Sequence, residues 1–319
     1  MKKQNFFTKL TFLLVACLFV FNSNKPESES ESESEPEPED TCDCDINTNL
    51  PKCDDCPGTT VLVDFIGNTG FLITSKETKI LIDQPTRTGG NWGVIIPSAT
   101  TVDKIRQAAE PYDSIDLICI SHKHADHYNV RYLTDVMSNN PDALLILPPE
   151  IYVTGAFSDF ETRLVHPDIA YKENLDTLLK DIQINIACLK HHRPDVDDLY
   201  NYCYLFDLNG FKLLHMGAAN PYEYTNELEN IDYSSQEIDL AILHYLTVLN
   251  TKAPPPASGF SLANERIEFI NTEIAPASII FDHTYTSNTT VNYLRSLLEE
   301  DTNLPPGHVF SYSLEKKEY

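Results

Sequence analysis

Within six residues, His122-Lys123-His124-Ala125-Asp126-His127, the chain places three imidazoles and a carboxylate. The spacing is H-x-H-x-D-H. Neutral imidazole suits zinc and iron, and a carboxylate adds a harder ligand. In an extended or turning backbone His122 and His124 point the same way. Asp126 and His127 follow on the next turn and can aim at a neighbouring point. Chance in a solvated loop would account for one histidine, not for this set. The chemistry on offer is metal binding.

A strand must deliver these residues. Asp116 to Ile120 is short and largely apolar, so it reads as a buried strand ending at the cluster. A strand followed by this spacing resembles the metal-binding signature of the metallo-β-lactamase superfamily. The resemblance runs from about Thr59 to the C-terminus. It implies an α/β fold, the αββα sandwich in which two mixed sheets pack face to face with helices outside. It also implies Zn2+, one or two ions, with iron or manganese as the other divalent candidates. Substrate is hardly constrained, because one fold hosts many chemistries.

Tetrahedral zinc with three histidines and a water needs one imidazole beyond His122 and His124. By the resemblance it ends a later strand, where His191 and His192 stand. Counting along the strand from Ile182 favours His191 and leaves His192 open. A second metal would take Asp126, His127 and a late histidine. His283 follows the apolar run ending at Phe281-Asp282, as the family's last ligand does. His244 competes, but it sits inside its apolar run and is expected to pack. His215 ends a hairpin strand and is expected to support the ligands or the fold. His166 and His308 have no constellation around them and are expected at the surface. Asp83 ends a strand where family members often carry an aspartate supporting the metals; a solvated strand-end acid is the alternative.

One departure from the family stands at Gly217-Ala218. Many superfamily hydrolases carry an aspartate directly after this glycine, bridging two metals. Alanine coordinates nothing. One subclass of true β-lactamases also lacks that aspartate and holds its second zinc with Asp, His and His, the set that Asp126, His127 and His283 would form.

The 319 residues carry a formal net charge of −25, and Glu27 to Asp45 alone holds ten acidic residues. So acidic a chain is a poor partner for nucleic acid. Residues 1–21 read as a targeting segment, with Lys2, Lys3 and Lys9 before an apolar run, Leu10 to Phe21, too short for a comfortable membrane span. Leu14-Val15-Ala16-Cys17 resembles a bacterial lipobox. The protein is therefore expected to be exported and tethered to a membrane by lipid at Cys17. A cleaved signal giving a periplasmic or secreted product, or an uncleaved anchor, is the alternative. Residues 22–41 form an acidic Ser/Glu/Pro tether with nothing to bury. In residues 42–58, Cys42, Cys44, Cys53 and Cys56 are expected to form two disulfides, with a zinc knuckle as the other reading. Residues 59–319 form the domain, in which Cys119, Cys188 and Cys203 lie in strand-like runs and are expected to be buried thiols.

Along that domain, strands are expected at Thr60 to Asp64, Phe71 to Thr74, Lys79 to Asp83, Ala143 to Leu147, Asp239 to Leu243 and Ala277 to Phe281. Ile182, Ile184 and Ile186 begin another at period two. Asn209-Gly210 between two apolar runs signals a hairpin. Helices are expected at Thr101 to Ala109, capped by Thr100 or Thr101, and at Val130 to Met137, Glu265 to Ile274 and Val291 to Glu299. Ile151 to Leu179 carries no clear period.

These expectations add up to an exported zinc-dependent hydrolase. Zinc lowers the pKa of its bound water to ~7, giving hydroxide at neutral pH. The substrate would be a small-molecule or lipid-like ester, lactone, amide or phosphodiester. Asp126 would be the catalytic carboxylate, binding the second metal or orienting the water. A catalytically degenerate binding or scaffold lipoprotein on the same sandwich is the rival; Ala218 favours it, and the intact cluster argues against it.

Overall fold

The computed structural model describes residues 60–319 except 84–85, 88–93, 192–198, 224–225, 248–263, 283–287, 301–302 and 311–314. The elements are β1 Val61–Gly67, β2 Gly70–Ser75, β3 Thr78–Ile82, α1 Ala99–Arg106, β4 Leu117–Cys119, α2 Val130–Asn139, β5 Leu144–Ile146, α3 Pro149–Tyr152, β6 Leu164–Val165, β7 Asn174–Leu179 and β8 Ile182–Lys190. There follow β9 Tyr200–Leu208, β10 Phe211–His215, β11 Leu240–His244, α4 Asn264–Phe269, β12 Ser278–Asp282, α5 Asn288–Glu300, β13 Gly307–Val309 and β14 Glu315–Glu318. All belong to one compact unit, Pro57–Tyr319. Cys17 with its expected lipobox, the expected tether in residues 22–41, and Cys42, Cys44, Cys53 and Cys56 lie outside the described residues, as do His192 and His283. Among the described residues no helix is long and apolar enough to cross a membrane.

Alternation of side chains along each strand builds three apolar layers. Leu117 and Cys119 face the opposing sheet, together with Ile184, Ile186, Cys188 and Ile242. Their neighbours Ile118 and Ile120 face outward and pack against Ile105 of α1 and Leu133, Val136 and Met137 of α2. On the other side, Ala187, Leu189, Leu243 and Phe281 pack against Ile267 of α4 and Val291 and Leu294 of α5. Strands buried on both faces, with helices over the outer ones, make the αββα sandwich.

The two sheets share one plan. The first runs β14-β1-β2-β3-β4-β5-β6 and the second β13-β12-β11-β10-β9-β8-β7. The first has three antiparallel pairings followed by three parallel ones, and the second has the same sequence when read from β7. The β9–β10 turn has φ of 58° at Asn209 and 92° at Gly210, the positive values that the tight two-residue hairpin needs.

Several boundaries differ from the sequence expectation. Helix α1 starts at Ala99, because Ser98 is its N-cap and accepts the Thr101 N–H at 3.0 Å. The Glu265 to Ile274 helix is α4 followed by a π turn over Ile270–Ile274, ended by Ala275 at a φ of 49°. His308 is half-buried against Glu315, 2.8 Å away, rather than a surface residue. His166 is exposed and stacks on Tyr152 at 3.6 Å between ring centroids. Cys119, Cys188 and Cys203 are free buried thiols.

Candidate metal centre

The strand that carries the cluster is held from both sheets. Beyond β4, the Ile120 carbonyl accepts the Tyr204 hydroxyl at 2.7 Å, and the Ser121 carbonyl accepts the Tyr202 N–H at 2.8 Å. This is possible because β9 outruns β10, whose pairing stops at Tyr204. The N–H groups on the overhang need other acceptors. Ser121 takes one, and Glu150 takes that of Tyr200 at 3.0 Å. The backbone just before His122 is thereby fixed against the second sheet.

After His122 the chain turns. The His124 carbonyl accepts the His127 N–H at 3.0 Å. His122 and His127 are buried, and His124 is partly exposed. His191 follows the last residue of β8 and is also buried. One ligand nitrogen from each of His122, His124 and His191 falls within 4.8 Å of the other two. Their ring centroids form a near-equilateral triangle with sides of 4.7, 4.7 and 4.6 Å. Nε2 of His122 and Nδ1 of His124 are 3.0 Å apart. Two imidazole lone pairs at that distance repel unless a proton or a cation lies between them. Ligands ~2.0–2.1 Å from a tetrahedral zinc stand ~3.3 Å from each other, so the donor set fits such an ion.

Hydrogen bonds fix which nitrogens face inward. The Ser121 hydroxyl donates to Asp83 Oδ2 at 2.7 Å, leaving its oxygen to accept from Nδ1 of His122 at 3.1 Å. That tautomer leaves the His122 Nε2 lone pair toward His124. His127 Nδ1 lies 2.8 Å from Asp83 Oδ2, which can only accept, so His127 also turns Nε2 the other way. There Asp126 Oδ2 is 3.7 Å distant, itself held by the Asn68 amide at 3.1 Å. Asp126 and His127 thus converge on a second point beside the triangle, with 3.7 Å between the ring centroids of His122 and His127.

Asp83 is the hub of this arrangement and not a solvated strand end. It is 1 % exposed and takes the Ser121 N–H at 2.7 Å. Burial opposes its charge, but His127 and the Ser121 N–H outweigh that and hold it below the usual carboxylate range. Burial likewise opposes charge on His127, yet Asp83 and Asp126 raise its pKa above the ordinary imidazole value. His215 is fully buried, accepts the Gly217 N–H at 3.2 Å, and is pushed down to about 4 by burial, so it stays neutral. His244 is buried and stacks on Tyr245 at 5.0 Å.

The loop after β10 passes directly over the site. Gly217 has a φ of +56°, and a Cβ there would lie 2.7 Å from that of Ser121 and 2.6 Å from Asn201 Oδ1. Asn201 holds the loop from the β9 overhang, donating to the Met216 carbonyl and accepting the Ala218 N–H, each at 2.9 Å. Ala219 pairs with His191 in an isolated bridge. Ala218 therefore lies between a residue packed on Ser121 and a residue paired with His191.

The family profile described as "Beta-lactamase superfamily domain" matches residues 62–234, more than half of the chain. The chain belongs to this superfamily. Solved structures with the superfamily's sandwich align over most of its length. A possible metal-dependent hydrolase from Veillonella parvula aligns with a TM-score of 0.56 at 13% identity, over 82% of this chain and 99% of that one. The metallo-β-lactamase fold protein YhfI from Bacillus subtilis gives 0.52 at 13% identity, over 82% and 100%. CmlA, a diiron β-hydroxylase from Streptomyces venezuelae, gives 0.50 at 13% identity, over 83% of this chain and 54% of that one. At such identity these likenesses carry the fold alone. Comparison with curated protein sequences gave no match.

The candidate centre is thus built from residues that the sequence singled out and from several that it did not. Asn68, Thr69 (whose hydroxyl lies 3.0 Å from His127 Nδ1), Ser121 and Asn201 are single polar residues with no spacing to mark them. Their signal lies in burial: Asn68, Thr69, Ser121 and Asn201 are each at most 4 % exposed.

Proposed function

We propose that the protein is a metal-dependent hydrolase, with zinc as the ion. His122, His124 and His191 would hold the first metal, and Asp126 and His127, completed by His283, a second. The observation that carries this reading is the convergence of three imidazole nitrogens within 4.8 Å of one another. A bound divalent metal would supply a nucleophile at neutral pH by lowering the pKa of water to ~7, and would polarise the attacked group. The chain's own residues do the rest. Ser121 and Asp83 set the tautomers of His122 and His127, and Asn68 aims Asp126 at the space between the rings. Asp126 there is suited to binding the second metal or to orienting a water and taking its proton.

Small-molecule or lipid-like esters, lactones, amides or phosphodiesters are the proposed substrates. A screen of chromogenic esters and phosphodiesters, run on purified full-length protein of measured metal content, tests the reading. Hydrolysis should be lost with a chelator and restored by Zn2+. A metal-loaded protein inactive on every class would favour the second reading, a binding or scaffold role on a degenerate site, for which Ala218 is the specific observation.

The expected N-terminal organisation belongs to the same proposal: a signal in residues 1–21, a tether in 22–41, a cysteine segment in 42–58 and the domain in 59–319. Lipid on Cys17 would place the enzyme at the cell envelope. Mass spectrometry of the mature N-terminus should find a diacylglyceryl-modified Cys17 as the first residue. A mature chain starting beyond Cys17 rules the anchor out.

A further inference from the structure

We propose that Glu227 is a positioning residue for His191, acting through the backbone of Lys190; this rests on the reading of His191 as a metal ligand. Glu227 is 2 % exposed, and its carboxylate touches the strand end that presents the histidine. Oε1 accepts the Lys190 N–H at 2.6 Å, and Oε2 accepts the Tyr171 hydroxyl. The Tyr171 ring in turn packs under the Lys190 and Lys172 ammonium groups, 5.2 and 5.7 Å from its centroid. A buried carboxylate is costly unless it is hydrogen-bonded, and one bonded to N–H and O–H donors makes stronger bonds than a neutral acceptor.

The position of Glu227 in the chain gives the contact its meaning. The segment leaving Gly217 pairs with His191 through Ala219 and, eight residues later, returns to grip Lys190 through Glu227. One loop thus clamps two successive residues at the end of β8. Asn230 extends the attachment, its carbonyl accepting from the Asn174 side chain of β7 at 3.3 Å. His122 and His124 are fixed by the first sheet and by the β9 overhang. His191 comes from the other sheet, so its distance from them depends on where β8 ends. A clamp on Lys190 sets that end.

Glu227→Gln keeps the shape but removes the charge and one acceptor. Supporting partners of metal ligands change affinity ~10–100-fold, and a fall of that size in zinc affinity is expected, measured on the full chain by competition with a chromophoric chelator. Tyr171→Phe should give a smaller fall in the same direction. Cobalt substituted for zinc should show a shifted visible spectrum in Glu227→Gln, because one imidazole is held less well; a role in stability alone would leave that spectrum unchanged. Wild-type affinity and an unchanged cobalt spectrum in folded Glu227→Gln overturn the proposal. If that variant does not fold, Tyr171→Phe decides by the same two readouts. His191→Ala, measured alongside, separates the layers. Zinc lost there but kept in Glu227→Gln overturns this inference alone, whereas zinc kept in His191→Ala overturns the reading of the centre with it.

Discussion

Alanine at position 122 or 124 is expected to strip the metal from the purified protein. Each substitution removes one of three nitrogen donors from the triangle and leaves two, too few for the closed set that holds zinc against competition. The loss should exceed the ~10–100-fold that removal of a mere supporting partner costs. Elemental analysis of His122→Ala, His124→Ala and His191→Ala reads it directly. The same measurement on a chain with Cys42, Cys44, Cys53 and Cys56 changed to serine removes any contribution from those thiols. Zinc at wild-type level in His122→Ala and His124→Ala on that background would sink the assignment. Acid should act in the same direction. Imidazole must be neutral to bind, so zinc affinity should fall as pH is lowered and protons compete for the ligand nitrogens.

Restoring the family's aspartate should have the opposite sign. Ala218 is fully buried, and its neighbours touch Ser121 on one side and His191 on the other. A carboxylate placed there adds a hard anionic ligand beside Asp126 and His127. In Ala218→Asp, zinc titration should approach two ions per chain, or the second dissociation constant should fall at least ~10–100-fold. The metal-free variant should be the less stable one, because an unpaired buried carboxylate is costly. Zinc should therefore raise its Tm by more than it raises that of the wild type. A folded variant that binds zinc no better than wild type would mean that Gly217-Ala218 is not the bridging position. The register of the second half, with the assignment of His283, would then have to be redrawn.

Much of the fold is legible in the sequence because burial on two faces leaves continuous apolar runs, and burial on one face leaves period-two runs. Ile182, Ile184 and Ile186 announce β8, and Asn209-Gly210 announces the β9–β10 turn. The edges are not legible. β7 is exposed along most of its length, β6 has two residues, and β14 is Glu-Lys-Lys-Glu, so no apolar alternation marks them. Charge on an outer strand is what keeps a sheet from pairing with strangers, and it also hides the strand from pattern reading. The site divides in the same way. His122, His124, Asp126 and His127 are local and carry a spacing, and His191 was reachable by counting along a strand. Asp83 was balanced between two roles until its neighbours could be seen. Ser121, Asn68, Asn201 and Glu227 come from four separate places and act through a few hydrogen bonds each, for which sequence has no signature.

The closure of the first sheet has a consequence in time. Its outer strand beside β1 is β14, and Lys316 Nζ meets Asp64 Oδ2 at 2.9 Å across 252 positions of sequence. Val61 and Tyr319 exchange both backbone hydrogen bonds, at 3.0 and 2.9 Å. A ribosome makes β1 first and β14 last. Throughout synthesis of the domain, the outer edge of β1, with Val61, Val63 and Phe65 destined for the core, has no strand to pair with. A nascent chain in that state is a template for another chain's strand. Of the described strands, the last one made is the one that ends this exposure.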